Sequence, residues 1–286
     1  MTQKSAVRLF AILPRAGRSA VVFRRGPSKL VQLIRWDTHA DSFEPGQWFK
    51  GRIYERRADL SPSGSKLIYF AASQKPPYWS WTAVSKPPFL TALLLWPNGS
   101  TWGGGGMFET ESTILLNQQP HLGEGFKLPK GVRVLPLGAS SHSEEGFGIY
   151  STRLERDGWR LAQKGTNQAH DPEIYSKRWT LNSRGQFELQ MWTTVGKHGP
   201  SEPWAVTEFL LCETKTNNSI AFGRLDWADV DSDGDVLFAK EGAVFRLSPD
   251  MTGGQPYDIA RAKQLCDFSD SKFIEVPPAA KAKSWE

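Results

Sequence analysis

The densest set of oxygen ligands in the chain is Asp229-Val230-Asp231-Ser232-Asp233-Gly234-Asp235, which copies the D-x-D-x-D-G opening of a calcium loop. Alternate carboxylates on a tight turn suit a hard cation, and Gly at the sixth position permits the sharp bend. Position twelve, where a bidentate Glu closes such a cage, is Lys240, and the flanking runs read as strands rather than helices. The expectation is an Asp-rich hairpin turn and no cofactor. Calcium is the alternative, with Asp229, Asp231, Asp233 and Asp235 as its ligands.

Other candidates carry less chemistry. Trp102-Gly103-Gly104-Gly105-Gly106 lacks the Lys-Ser/Thr or helix start that a phosphate cradle needs, so it reads as a close backbone approach. The five histidines (His39, His121, His142, His170, His198) have no i, i+4 pairing and no cysteine beside them, so a zinc site lacks support. Ser140-Ser141-His142 with Glu144-Glu145 is a cluster of sequence neighbours without a Gly-x-Ser-x-Gly elbow, and no catalytic residue is expected from it. Two binding surfaces are more plausible on chemical grounds. Trp79 and Trp81, with Trp96 and Trp102, form a candidate aromatic platform for a peptide or sugar. Arg52, Arg56 and Arg57 form a candidate face for an anionic ligand, whose affinity would fall with salt.

The elements that must position these residues are short strands punctuated by turns. Leu225–Ser248 holds two hairpin signals in series, at Asp231–Gly234 and Lys240–Gly242. The same grammar recurs at Arg15-Ala16-Gly17, at Pro97-Asn98-Gly99, at Arg156-Asp157-Gly158 within 150–165, and at Asn182–Gly185. Asp37–Gly51 reads as turn-rich around Pro45-Gly46, and Leu90–Trp96 as a fully buried strand. Ile259 and Leu265 stand at rough helical spacing, so Asp258–Leu265 is expected to be a helix. Trp159, Trp179, Trp192 and Trp227 are assigned to the core.

At Ala58–Ser73, Asp59-Leu60 enters, Ser61-Pro62-Ser63-Gly64 turns and 66–72 exits as a strand. Pro at the second turn position presets its φ and Gly at the fourth frees the backbone. The run D-L-S-P-S-G-S-K-L-I-Y-F resembles the blade signature of TolB-like and WD40-like β-propellers, as in a bacterial-type member of that broad superfamily. The Gly-His that opens WD40 repeats is absent, and Trp36-Asp37 is the sole Trp-Asp pair. The resemblance implies an all-β chain forming a single β-propeller over residues 1–276. Its blades would be four-stranded and antiparallel, five favoured over six, with a tail at 277–286 disordered or laid on the surface.

Bulk properties narrow the function. The 286 residues, 39% hydrophobic with 12 Trp, can bury a core. No apolar run approaches membrane length. The run Leu9–Leu13 is short for a secretory signal; the acid-free, Arg-rich span before Asp37 is transit-peptide-like, but two strands around Gly17 are the preferred reading. Two cysteines, Cys212 and Cys266, fit buried thiols in a reducing cytoplasm. Residues 1–60 hold 12 Lys/Arg against 5 Asp/Glu, the rest 23 against 25, too sparse a stripe for nucleic acid to be expected. The leading expectation is a non-catalytic, cytoplasmic propeller that binds a protein partner as a scaffold, as a monomer or in a hetero-complex, away from membranes. The alternatives are a hydrolase or lyase with its site in the propeller channel, and a carbohydrate- or anion-binding propeller.

Overall fold

The computed structural model describes residues 7–26, 29–138, 148–166, 171–181, 185–196, 205–216, 218–252 and 255–285. Among these the chain is all-β, with twenty strands in five sheets. The first sheet runs β1 (Arg8–Ile12), β2 (Ser19–Arg25), β3 (Leu30–Asp37), β4 (Ser42–Lys50), each paired antiparallel with the next. The second runs β5 (Arg52–Leu60), β6 (Leu67–Ala72), β7 (Ser80–Ser85), β8 (Leu94–Pro97) in the same way. The third has three strands, β9 (Gly106–Phe108), β10 (Thr113–Leu116) and β11 (Arg133–Pro136), with β11 parallel to β10. After helix α1 (Gly148–Arg156) comes a five-stranded sheet of β12 (Trp159–Gln163), β13 (Glu173–Thr180), β14 (Gln186–Val195), β15 (Ala205–Glu213) and β16 (Ser219–Arg224). The last holds β17 (Trp227–Val230), β18 (Val236–Lys240), β19 (Ala243–Leu247) and β20 (Lys263–Asp267). Four strands per sheet therefore holds for three sheets and not for the third and fourth.

The chain divides into two compact units, residues 1–153 with 270–286, and residues 154–269. In the first unit, Ile68, Val84, Leu94 and Trp96 of the second sheet pack with Phe108, Ile114 and Leu116 of the third and with Val132. Each such side chain contributes about 1.5–3 kcal/mol by leaving water. The turn Ser61–Gly64 forms as its sequence predicts: Gly64 N–H donates to Ser61 O at 2.8 Å. Its backbone is left-handed (φ +77°), and an added Cβ would sit 2.0 Å from Ser19 O, so only glycine fits. The turn is wedged between neighbours, since Ala16 N–H donates to Pro62 O at 2.8 Å and Ser63 N–H to Glu111 Oε1 at 2.6 Å. Hairpin tips of three successive sheets are thereby stacked.

In the second unit Lys177 of β13 pairs with Asp229 of β17 at 2.8 Å. Tyr257 accepts from Trp179 Nε1 at 3.0 Å and donates to Gly234 O at 2.5 Å. Phe222 and Phe238 meet edge-on at 5.3 Å. These contacts join the fourth and fifth sheets.

Several expectations are corrected. Asp258–Leu265 is not a helix: a single 3-10 turn, Ile259–Arg261, is capped by Asp258, and Lys263–Asp267 then pairs with β19. With Ile259 exposed there is no apolar face to bury, and the sheet's open ladder captures the chain instead. Residues 148–156 form a helix rather than a strand entering a hairpin. Ile149, Tyr150, Arg153 and Leu154 are buried at 3.6-residue spacing, and the turn at Asp157-Gly158 ends α1. Pro45-Gly46 does not break the chain: β4 is the edge strand of its sheet, where proline is tolerated, and its register with β3 shifts beside Pro45, between Gln32 and Ile34. Leu90–Trp96 yields only the edge strand Leu94–Pro97, kept buried where Gly123 N–H docks on Leu95 O at 2.8 Å. Trp159 and Trp227 are core, Trp179 is half-buried, and Trp192 is exposed. Cys212 and Cys266 are free and half-buried. In the tail from Pro277, Ala282 is buried and Trp285 packs on the cluster around Trp96. Among the described residues no helix is long and apolar enough to cross a membrane.

Candidate functional site

The first two sheets meet at one end, where β4 stops at Lys50 and β5 starts at Arg52. Gly51 N–H donates to Lys29 O at 2.9 Å, and Ala72 O lies where a Cβ on Gly51 would clash. Register then fixes what else lies there. Arg52 pairs with Ala72, Ala72 with Ser80, and Trp81 with Pro97. The turn 73–79 and the loop 98–103 therefore project from the same end as Arg52.

Both loops hold an indole out on a fixed backbone. Trp79 takes a left-handed φ of +58°, rare for an aromatic residue. Its carbonyl accepts from Ser73 and Gln74 N–H, both at 3.0 Å, and its own N–H donates to Lys75 O at 3.0 Å. Next door, Asn98 N–H donates to Ser80 O at 2.9 Å, and Ser80 Oγ donates to Ser100 O. Asn98 Nδ2 donates to Ser100 O at 2.7 Å and Trp102 O at 2.9 Å. Ser80 thus links the Trp79 turn to the Trp102 loop. Trp79 is 52% exposed and Trp102 68%, whereas Trp36 and Trp96 are fully buried.

Arginine supplies the underside. Arg57 donates to Thr101 O at 2.9 Å and Gly103 O at 2.5 Å, and its guanidinium stacks on Tyr54 and Phe70 at 5.0 and 5.3 Å. Burial pulls its pKa down, but an arginine remains charged. Arg52 stacks on the same Tyr54 at 4.6 Å and faces solvent. The glycine run lets this loop pass close beneath: a Cβ on Gly104 would lie 2.2 Å from the Phe70 ring.

The predicted residues divide accordingly. Arg52, Trp79 and Trp102 come together at one end, with Arg57 as their support. Arg56 does not join them: the β5 bulge between Tyr54 and Asp59 carries it to Tyr150, 5.0 Å from that ring. Trp81 is half-buried edge-on against Phe49 at 5.7 Å. Sequence reasoning missed Tyr54, Ser80 and Asn98; the Asn98-Gly99 turn signal marked the loop but not its hold on Trp102.

The Asp-rich stretch is a hairpin turn with its own counter-ions. Asp231 O accepts from Gly234 N–H at 3.2 Å, and Asp231 Oδ1 accepts from Asp233 and Asp235 N–H at 3.0 and 2.9 Å. Arg246 pairs with Asp231 at 2.9 Å and also with Asp235, while Asp229 goes to Lys177. Burial and the neighbouring Asp235 nevertheless push the Asp231 carboxyl above its usual range. Three of the four candidate carboxylates, Asp229, Asp231 and Asp235, are thus engaged by cations. Among the described residues no group of three or more His, Cys, Asp or Glu is placed to hold a metal. His39 and His121 are exposed; His142, His170, His198 and the Ser140–Glu145 stretch lie outside the described residues. A shallow depression of about 220 Å³ at Ser19, Arg35, Asp37, Ser42, Phe43 and Glu44 is polar and bridged by an Arg35–Glu44 ion pair at 2.5 Å.

No protein-family model matches the chain, and no curated protein matches it. Among solved structures, an uncharacterized protein of Listeria monocytogenes EGD-e, lmo1340, is similar at 7% identity and a TM-score of 0.26, covering 92% of this chain and 67% of that one. At that level the likeness carries no inference about fold or function.

Proposed function

We propose that this chain is a non-catalytic binding protein of β-propeller type. Its docking face is the end of the second sheet that displays Trp79 and Trp102, and its partner is another protein. The five sheets would be the blades, a reading supported by their formation from consecutive strands and by the stacked hairpin tips of the first three. The docking reading is carried by one observation: two indoles, each more than half exposed, stand on neighbouring loops that hydrogen bonds link through Ser80. Large exposed aromatics are favoured anchors of protein interfaces. A backbone fixed beforehand spares the ordering entropy that a mobile loop would lose on binding.

The test is the double substitution Trp79→Ala/Trp102→Ala. It is expected to abolish capture of the partner from host extract by the immobilised chain while moving the melting temperature by about 2 °C or less. A large drop in melting temperature would make these indoles packing residues. Unchanged capture would remove the face.

A further inference from the structure

Resting on that docking face, we infer that the partner segment it takes is acidic. No Asp or Glu occurs between Asp59 and Glu109, a span that supplies both Trp loops; of its lysines, Lys75 lies at the end with the indoles, and Lys66 and Lys86 at the other. Topology sets the acidic residues of two strand turns apart from the indoles, although Arg15, Arg18 and Arg35 share their end and exposed Glu124 follows Gly123, which lies against Tyr78. Asp37, Asp41 and Glu44 surround the β3–β4 turn, and Glu109 and Glu111 the β9–β10 turn, all at the far end of their sheets. The end with the indoles carries Lys29, Lys50, Arg52 and Lys75, all exposed, joined through the Gly51–Lys29 hydrogen bond and the Arg52–Ala72 register. Glu55, the acidic residue nearest in β5, is held by Arg25 at 2.8 and 3.1 Å. Among the described residues no carboxylate lies within ion-pair reach of Lys29, Arg52 or Lys75.

The face therefore offers two apolar anchors and, at the same end of the sheets, three exposed cations without an ion-pair partner among the described residues. Its complement is a peptide with carboxylates flanking an apolar or aromatic side chain, the carboxylates steering the encounter and the indoles supplying the contact. Single-stranded nucleic acid also combines anions with stacking, but its binders carry a continuous track of cations along the backbone path. Here a few separate exposed cations, and no track, share one end of the sheets with the indoles, which favours a peptide.

The experiment is selection of a phage-displayed random dodecapeptide library on the full-length chain. Recovered peptides, fluorescein-labelled, and a labelled oligo-dT of equal length are then titrated by polarisation against wild type, Trp79→Ala/Trp102→Ala and Arg52→Glu/Lys75→Glu. The inference expects enrichment of Asp and Glu beside apolar residues. It expects binding lost in the double Trp variant and weakened by about tenfold or more in the charge-reversed one, with affinity falling as salt rises. Neutral or basic peptides that still need the two Trp would overturn the acidic partner and leave the docking face standing. No enrichment over the bare support, or peptides indifferent to the Trp pair, would overturn the docking face itself. Oligo-dT binding more tightly than any peptide, and depending on the same residues, would replace the peptide by nucleic acid.

Discussion

Replacing Arg246 by Met tests how the Asp turn is held together. Arg246 bridges Asp231 and Asp235, and the three side chains are only 13–17% exposed. Met keeps most of the apolar stem, so the substitution removes charge more than volume. Breaking a fully buried pair by deleting one partner costs about 3–5 kcal/mol. Partial hydration brings the expectation here to about 2–3 kcal/mol, or roughly 5–10 °C in melting temperature for a chain of this size. The sign with pH follows from Asp231, whose folded pKa already lies above its unfolded one because of burial and Asp235. A carboxyl raised in this way adds stability that is fully present below the unfolded pKa and is lost as pH rises through the folded one. Without Arg246 the Asp231 carboxyl is pushed further up. The deficit of the variant against wild type should therefore be full at pH 7 and shrink toward pH 4. Thermal unfolding followed by circular dichroism at both pH values reads it. An equal deficit at both would show that the guanidinium acts through packing and not as a counter-ion. In the same assay millimolar calcium should leave the wild-type melting temperature unchanged; a rise would mean that the ion displaces Arg246 from the carboxylates.

Gly64→Ala forces a Cβ to within 2.0 Å of Ser19 O at a left-handed φ, and should cost about 3 kcal/mol, measured by denaturant unfolding. Trp285→Ala removes the side chain that packs on the Trp96 cluster and lies under Lys66 Nζ at 4.9 Å, and should cost about 1–3 kcal/mol. A loss within error would mean that the C-terminal segment does not hold its place in solution.

Turn chemistry was the legible part of this sequence. Ser61–Gly64, Asp231–Gly234 and Lys240–Gly242 form where the residues place them, because Pro, Asp and Gly fix φ locally and need no tertiary help. Elements whose identity depends on what covers them were not legible. Tyr150 and Leu154 read as strand residues until their burial on one helical face is seen, and Ile259 reads as helical until no surface receives it. The candidate site divides along the same line. Trp79 and Trp81 are two apart, a spacing that puts both on one face of a strand. Because β7 begins only at Ser80, Trp79 belongs to a left-handed turn and points out while Trp81 packs on Phe49. Arg56 and Arg57 were equally indistinguishable until the β5 bulge assigned them to different aromatic rings.

Exposure alone does not separate the docking indoles from other surface tryptophans; the use of their N–H groups does. Trp192 is also partly exposed, at 37%, but its Nε1 donates to Gln190 Oε1 at 3.1 Å. Gln190 in turn donates to Glu188, and Glu188 pairs with Arg178, so the ring's polar edge closes a network along β13 and β14. Among the described residues the indole N–H groups of Trp79 and Trp102 have no such acceptor, although backbone groups of both loops are held by hydrogen bonds. Local structure spends its hydrogen bonds on fixing where these two rings stand and leaves the rings themselves, faces and N–H alike, to solvent. Arg52, exposed at the same end of the sheet, would supply a cation, and the indole N–H groups donors, to the carboxylates of the proposed acidic partner.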